Sequence, residues 1–218
     1  MSKITLFKSY AEPPFDIKEI LRYSGCKSAD KETEELLNTC IDEVRKVLTY
    51  KACYRDFSVC IKGNLCDFKD FSVQSKNLAE FLKGREKVTV FAATVGVGID
   101  RLIAKYSRIS PSKALMLQAI GAERIEALCN AFCNDLSACD NSCIRRFSPG
   151  YGDLPLGVQR DIFSVLDCGK YIGVSLNGSL VMSPSKSVTA FAVASDAINK
   201  EDKCRLCGKK DCEYRGAL

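Results

Sequence analysis

Histidine is absent from the 218-residue sequence. This absence excludes a Ser-His-Asp or Cys-His catalytic arrangement and any zinc site with histidine ligands. It also removes the side chain that most often transfers protons near neutral pH.

Long apolar runs are also missing. No stretch is long enough to cross a bilayer, and residues 1–8 lack the apolar segment of a signal peptide. We therefore expect a cytoplasmic protein that makes no membrane contact. The net charge of +5 comes from interspersed acids and bases rather than from a basic cluster, which argues against nucleic-acid binding.

The hydrophobic fraction of 46% is sufficient for a full core. The length suits one domain, which we expect at residues 1–198, followed by a cysteine-rich tail at residues 199–218. In a reducing compartment the 13 cysteines are buried thiols, metal ligands or redox groups rather than a disulfide framework.

Hydrophobic periodicity predicts a mixture of helices and strands. Asp30 is expected to cap a helix with Cys40 on its buried face, Ser110 and Pro111 begin the longest helix, and the apolar run 88–95 predicts a central strand covered on both faces. Further helices are predicted at 74–83, 99–106 and 156–166, and strands at 57–61, 65–68, 171–176, 180–182 and 187–194, with a primed turn at Asn177-Gly178.

The stretch from Arg146 to Pro155 combines a cation, two prolines, two glycines, a tyrosine and a carboxylate. Glycines let a ligand approach the main chain, Arg146 offers a planar fork for a carboxylate, and Tyr151 offers a stacking face and a hydroxyl. Two interpretations are open: a ligand-binding loop, or an ordinary Pro/Gly-rich connection with a surface arginine.

The spacing Arg146-x-x-x-Gly150-Tyr151 resembles the S-adenosylmethionine motif in the activation domain of cobalamin-dependent methionine synthase. The resemblance extends over residues 88–195, because several other segments follow the same order as in that domain. These segments are 114–119, 124–127, 159–166, 172–176 and 182–187. The implied fold is α+β, with a twisted antiparallel or mixed sheet and flanking helices.

The resemblance also implies site residues. Arg146, Gly150 and Tyr151 match the motif itself, and Glu126 and Asp140 match acidic positions that contact the ligand. S-adenosylmethionine carries a sulfonium cation, an amino-acid head group and an adenine, so such a site needs anions, a cation and a stacking surface. The alternative for Glu126 is a solvated helix charge, and for Asp140 a turn residue.

The sequence departs from the family after the tyrosine, where Gly152-Asp153-Leu154-Pro155 replaces a Pro-Ala-Cys-Pro run. Asp153 either adds a second anion to the ligand site or closes the turn. The amino-terminal acidic contact of the family is assigned to Asp67.

The function implied by the resemblance is to hold S-adenosylmethionine for reductive remethylation of the cobalamin of a separate methionine synthase. Such a protein is a component of the methyltransferase activity rather than a complete enzyme. Its partners would be the cobalamin-binding chain and an electron donor such as flavodoxin or ferredoxin. An alternative interpretation is a protein that keeps the fold but binds another small molecule or only a partner.

Three cysteines in the tail, Cys204, Cys207 and Cys212, have a spacing suited to zinc or an iron–sulfur cluster. A fourth ligand could come from Cys168, from the Cys139/Cys143 pair, from another subunit or from an exogenous group. A redox thiol pair and unligated cysteines are the alternatives. A cluster would suit a second function, redox activation of another corrinoid methyltransferase.

Overall fold

The computed structural model describes residues 4–26, 30–137 and 143–195. Its strands are β1 (Leu6–Tyr10), β2 (Tyr50–Ser58), β3 (Cys60–Lys62), β4 (Leu65–Asp67), β5 (Ser72–Gln74), β6 (Lys87–Thr94), β7 (Cys143–Phe147), β8 (Ser175–Leu176), β9 (Met182–Ser183) and β10 (Ser187–Ser195). Its helices are α1 (Ile17–Ser24), α2 (Lys31–Arg45), α3 (Lys76–Phe81), α4 (Gly98–Tyr106), α5 (Pro111–Ser137), α6 (Val158–Leu166) and α7 (Cys168–Ile172).

A five-stranded sheet forms the centre of the fold, in the order β1-β2-β6-β10-β7. Each of its pairings is antiparallel. The apolar run that predicted a central strand is β6, which lies in the middle of the sheet with Val90 and Phe91 fully buried on opposite faces. This confirms the α+β class and the position of that strand.

Each face of the sheet carries its own core. Helices α1, α2, α4 and α5 cover one face, around buried residues such as Leu117, Leu128 and Phe132. Helices α3, α6 and α7 and the small sheet β3-β4-β5 cover the other, around Phe68 and Ile162. Any side chain of an edge strand therefore faces one layer or the other, because successive residues of a strand point to opposite sides.

The two helices with the strongest start signals in the sequence form as predicted. The Asp30 carboxylate accepts the Thr33 N–H at the start of α2, and Cys40 on that helix is completely buried. Helix α5 begins at Pro111 and is the longest of the described helices. Gly121 lets it pack closely, since a Cβ there would lie 2.9 Å from Ile99 Cδ1.

The strand predicted at 171–176 is wrong in part. Residues Cys168–Ile172 form a short helix, which Gly173 ends in the left-handed conformation (φ +68°), so strand β8 contains only Ser175 and Leu176. Leu176 pairs with Met182, so 177–181 connect the strands instead of a two-residue primed turn. The Asn177 side chain organises this connection by accepting the N–H groups of Ser179 and Val181.

Several described elements have no counterpart in the sequence prediction, namely β1, α1, β5 and β7.

No helix within the described ranges combines the length and the apolar character of a membrane span.

Candidate functional site

Arg146 lies on β7, which is an edge strand of the central sheet. Its partner across the strands is Ala192, a member of the core on the α5 side. The neighbours Arg145 and Phe147 point to the other face, where the Arg145 guanidinium lies 5.6 Å from the ring centre of Phe81. Arg146 is thus a strand residue whose side chain is directed at α5.

Two side chains of α5 receive the Arg146 guanidinium. Nη2 donates to Glu126 Oε2 at 3.1 Å and to Asn130 Oδ1 at 2.9 Å. Glu126 and Asn130 are one turn apart on the same helix face, so both can meet one guanidinium. The side chain of Glu126 remains 48% exposed and that of Arg146 22%, so a ligand can reach the pair from solvent.

Two neighbours of this pair, Cys129 and Tyr23, are uncharged at neutral pH. Burial raises the pKa of the Cys129 thiol to about 12, although the neighbouring Arg146 acts in the opposite direction. The pKa of Tyr23 is raised as well, first by burial and then by the charge of Glu126. The cluster therefore presents one cation and one carboxylate against neutral thiol and phenol groups at neutral pH.

The chain turns tightly after β7. The Gly150 N–H donates to the Leu154 carbonyl at 2.9 Å, and the Leu154 N–H donates to the Tyr151 carbonyl at 3.0 Å. Gly150 (φ +91°) and Gly152 (φ +56°) adopt the positive φ values that favour glycine. Leu154 is buried beneath the turn, whereas Tyr151 is 67% exposed with its ring available for stacking.

Asp153 is engaged by helix α3. Its carboxylate accepts the Ser75 hydroxyl at 2.5 Å and the N–H groups of Lys76 and Asn77 at 2.8 and 3.1 Å. The Ser75 hydrogen bond is the main reason that the pKa of Asp153 is lowered. The carboxylate predicted as a ligand contact is used within the chain, as an anion at a helix N-terminus.

Asp67 lies apart from this cluster. It ends β4 in the small sheet, on the face of the central sheet opposite to α5, and its carboxylate accepts the Lys69 N–H at 2.8 Å. The structure thus brings together Glu126 and Arg146, but does not bring Asp67 to them. The Gly150-Tyr151 turn follows β7 in sequence, and its contacts through Leu154 and Asp153 are on the α3 side. Asp140 lies outside the described residues.

The predicted metal ligands Cys204, Cys207 and Cys212, with Cys139, also lie outside the described residues. Among the candidates for a fourth ligand, Cys168 is buried, and the neighbouring Cys53 thiol together with burial raises the pKa of its thiol, whereas Cys143 is exposed. In the part of the chain that the structure describes, no group of three or more cysteine, aspartate or glutamate side chains could hold a metal ion.

Sequence reasoning missed three residues of the cluster: Asn130, Cys129 and Tyr23. Asn130 had a usable signal, because it follows Glu126 by four residues on a predicted helix and so shares its face. Tyr23 had none, because α1 was not predicted and its approach to α5 is a long-range contact.

The fold is that of an α+β domain whose antiparallel five-stranded sheet lies between two layers. A charged pair, Arg146 and Glu126, lies where the edge strand meets the long helix. Among solved structures, the chain is similar to the MetH reactivation domain in its crystal structure bound to AdoHcy. The TM-score is 0.66 and the identity 16%, over 92% of this chain and 85% of that chain. The chain has the fold of that domain, as the sequence resemblance implies.

No protein-family model matches the sequence, and no curated protein matches it.

Proposed function

We propose that this chain binds S-adenosylmethionine through the cluster of Arg146, Glu126 and Asn130 together with the Gly150-Tyr151 turn that follows β7 in sequence. The observation that carries the proposal is the Arg146–Glu126 ion pair at 3.1 Å, on the strand and helix that meet at the motif. The likeness in fold to a domain solved with AdoHcy supports it. AdoHcy, S-adenosylhomocysteine, is S-adenosylmethionine without its transferable methyl group.

The chemistry of the cluster suits that ligand. The Arg146 fork can pair with the ligand carboxylate, and Glu126 can face its ammonium or sulfonium cation. The exposed ring of Tyr151 offers a flat surface for adenine. A ligand that engages both charges would replace the internal ion pair rather than leave either group unpaired.

The function we propose for this binding is reductive remethylation of the cobalamin held by a separate methionine synthase. In that reaction one electron from a donor such as flavodoxin or ferredoxin would reduce the cobalt of the partner's cobalamin. The reduced cobalt would then take the methyl group of S-adenosylmethionine, and the electron pair of the broken C–S bond would stay on sulfur. The side chains of this chain hold and orient the methyl donor, since in-line displacement gains chiefly from approach geometry. No nucleophile of its own is required, because the methyl group passes directly from the sulfonium to the cobalt of the partner.

The test is calorimetric titration of the purified protein with S-adenosylmethionine and S-adenosylhomocysteine. Arg146→Ala should weaken binding about tenfold or more, the usual cost of losing a charge-assisted contact. Arg145→Ala is the matched control, because that neighbour points to the opposite face of β7 and should leave Kd unchanged. Absence of binding at millimolar ligand, or equal effects of the two substitutions, contradicts the proposal.

A second candidate function is redox activation of another corrinoid methyltransferase through Cys204, Cys207 and Cys212. The spacing of these cysteines supports it. In that proposal residues 1–198 form one domain, and the tail at 199–218 holds an iron–sulfur cluster, because zinc has no redox chemistry and would serve only a structural role. Ultraviolet–visible and electron paramagnetic spectra, with metal analysis of anaerobically purified protein, test it, and the absence of a cluster excludes this function.

A further inference from the structure

The turn that carries Gly150 and Tyr151 is fastened to helix α3 by hydrogen bonds in both directions. The Asp153 carboxylate accepts the N–H groups of Lys76 and Asn77 and the hydroxyl of Ser75. In return, the Asn77 side-chain oxygen accepts the Asp153 N–H at 3.0 Å. These contacts join positions 76 to 78 residues apart in sequence, so they are tertiary contacts and not part of a local turn.

Helix α3 provides a rigid support for these contacts. Ser75 caps the helix by accepting the Leu78 N–H, and Leu78 is completely buried. The Phe81 ring stacks on Phe147 of β7 at a centroid distance of 5.3 Å. The helix therefore contacts both the end of the strand that carries Arg146 and the turn that follows it.

The fit between turn and helix is close. A Cβ on Gly152 would lie 2.6 Å from Asn77 Oδ1, so the backbone of the turn is in direct contact with the α3 side chain. Among the described residues, the backbone hydrogen bonds of the turn are local, with the N–H groups of Gly150, Tyr151 and Leu154 donating to the carbonyls of Leu154, Ser148 and Tyr151, respectively. Asp153 and Asn77 thus supply the hydrogen bonds that link this turn to a neighbouring element.

We infer that Asp153 is a positioning residue, which holds the Gly150-Tyr151 turn after β7 in place through helix α3 and does not contact the ligand. The inference rests on the proposed function, since the ligand is the one proposed there. A turn ordered in advance lowers the entropy lost on binding, so releasing it should weaken affinity without removing any ligand contact.

The test combines affinity with hydrogen exchange on the full-length protein. In Asp153→Ala, the Kd for S-adenosylhomocysteine should rise about tenfold, and the amides of Gly150 and Leu154 should exchange faster in ligand-free protein. Asn77→Ala should produce both effects, and Asp153→Ala/Asn77→Ala should be less than additive, because the two residues act through shared hydrogen bonds.

Asp30→Ala is the matched control, since Asp30 also caps a helix with its carboxylate but at the start of α2. It should lower Tm by a similar amount while leaving Kd and the exchange of the turn unchanged. The inference is overturned if Asp153→Ala weakens binding while turn exchange and the Asn77→Ala affinity stay as in wild type. That outcome would make Asp153 a direct ligand contact.

Failure of the proposed function gives a different result. If wild-type protein binds neither S-adenosylmethionine nor its demethylated product, the ligand assignment is wrong. The exchange measurements on ligand-free protein then decide the positioning role on their own, since unchanged exchange in Asp153→Ala overturns it.

Discussion

Glu123 and Arg124 are neighbours in sequence and also form a buried ion pair, with 2.5 Å between Arg124 Nη2 and Glu123 Oε1. Arg124 donates further to the carbonyls of Pro13 and Pro14 and stacks on the Phe15 ring, 3.7 Å from its centre. The segment that precedes α1 is therefore bound to the middle of α5 by one fully buried guanidinium.

Arg124→Ala should destabilise the fold by about 3–5 kcal/mol, because it leaves a buried carboxylate without its partner. Arg124→Lys should recover only part of that loss, since an ammonium cannot reproduce the fork that meets two carbonyls and a carboxylate. Urea unfolding followed by circular dichroism measures both. Arg101→Lys, at an exposed position on α4, is the control and should change the free energy of unfolding by less than about 0.5 kcal/mol.

Glu126→Gln should weaken S-adenosylmethionine binding about tenfold, because the substitution removes the negative charge that would face the sulfonium or ammonium group. Its effect on stability should be small, since the side chain is 48% exposed. Glu35→Gln on α2 removes a more exposed carboxylate and should leave Kd unchanged. Titration calorimetry at two salt concentrations checks the result. An unchanged Kd in Glu126→Gln would mean that this carboxylate does not take part in binding.

The sequence predicts best the elements whose signals are local. The Asp30 cap, the Ser110-Pro111 start and the apolar run of β6 each specify their element with neighbouring residues only. The stretch Tyr171-Ile172 favours a strand by composition, yet it forms the end of α7 because Gly173 closes a helical turn. Strand β7 is short, and the charged side chains at its centre give no alternating pattern.

For the candidate site, too, the sequence predicts residues with local signals better than it predicts long-range contacts. The pairing of Arg146 with Glu126 involves two residues that the motif and the long helix single out in the sequence. The hydrogen bonds of Asp153 with α3 could not be predicted, because its partners lie 76 to 78 residues earlier. Contacts of this kind depend on how the two layers pack against the sheet, which no local pattern specifies.

Stability should fall in acid partly through Glu43. Its hydrogen bond with Lys113 is the main reason that the pKa of Glu43 is lowered, and Tyr106 also donates to it. A carboxyl whose pKa is lower in the folded state stabilises the protein above its unfolded pKa and loses that contribution as pH falls through the folded value. The loss should therefore begin near the ordinary glutamate pKa, about 4.3, and continue below it.

Glu43→Gln should reduce this acid sensitivity and cost about 1 kcal/mol at pH 7, because the pair is partly exposed. Urea unfolding at pH 7 and pH 4 measures the difference, which should be smaller in the variant than in wild type. Glu32→Gln, at an exposed position on α2, should keep the wild-type dependence. Equal pH dependence in wild type and Glu43→Gln would show that the contact with Lys113 does not contribute.

Two glycines in the segment after β7 provide a matched test of the turn. Gly152 has φ +56°, and a Cβ there would lie 2.6 Å from Asn77 Oδ1. Gly157, five residues later, has φ −57° and no atom within 4 Å of an added Cβ. Gly152→Ala should destabilise the protein by about 1–3 kcal/mol and weaken S-adenosylmethionine binding, because it strains the backbone and separates the turn from α3.

Gly157→Ala should be neutral or slightly stabilising, because alanine adopts that conformation readily and narrows the unfolded ensemble. Thermal unfolding and titration calorimetry of both variants make the comparison. Equal behaviour of the two would mean that the turn tolerates displacement from α3, and the close contact between Gly152 and Asn77 would then have no part in holding the site. A selective loss in Gly152→Ala, with faster exchange of the Gly150 and Leu154 amides in the ligand-free protein, would identify separation of the turn from α3 as the cause.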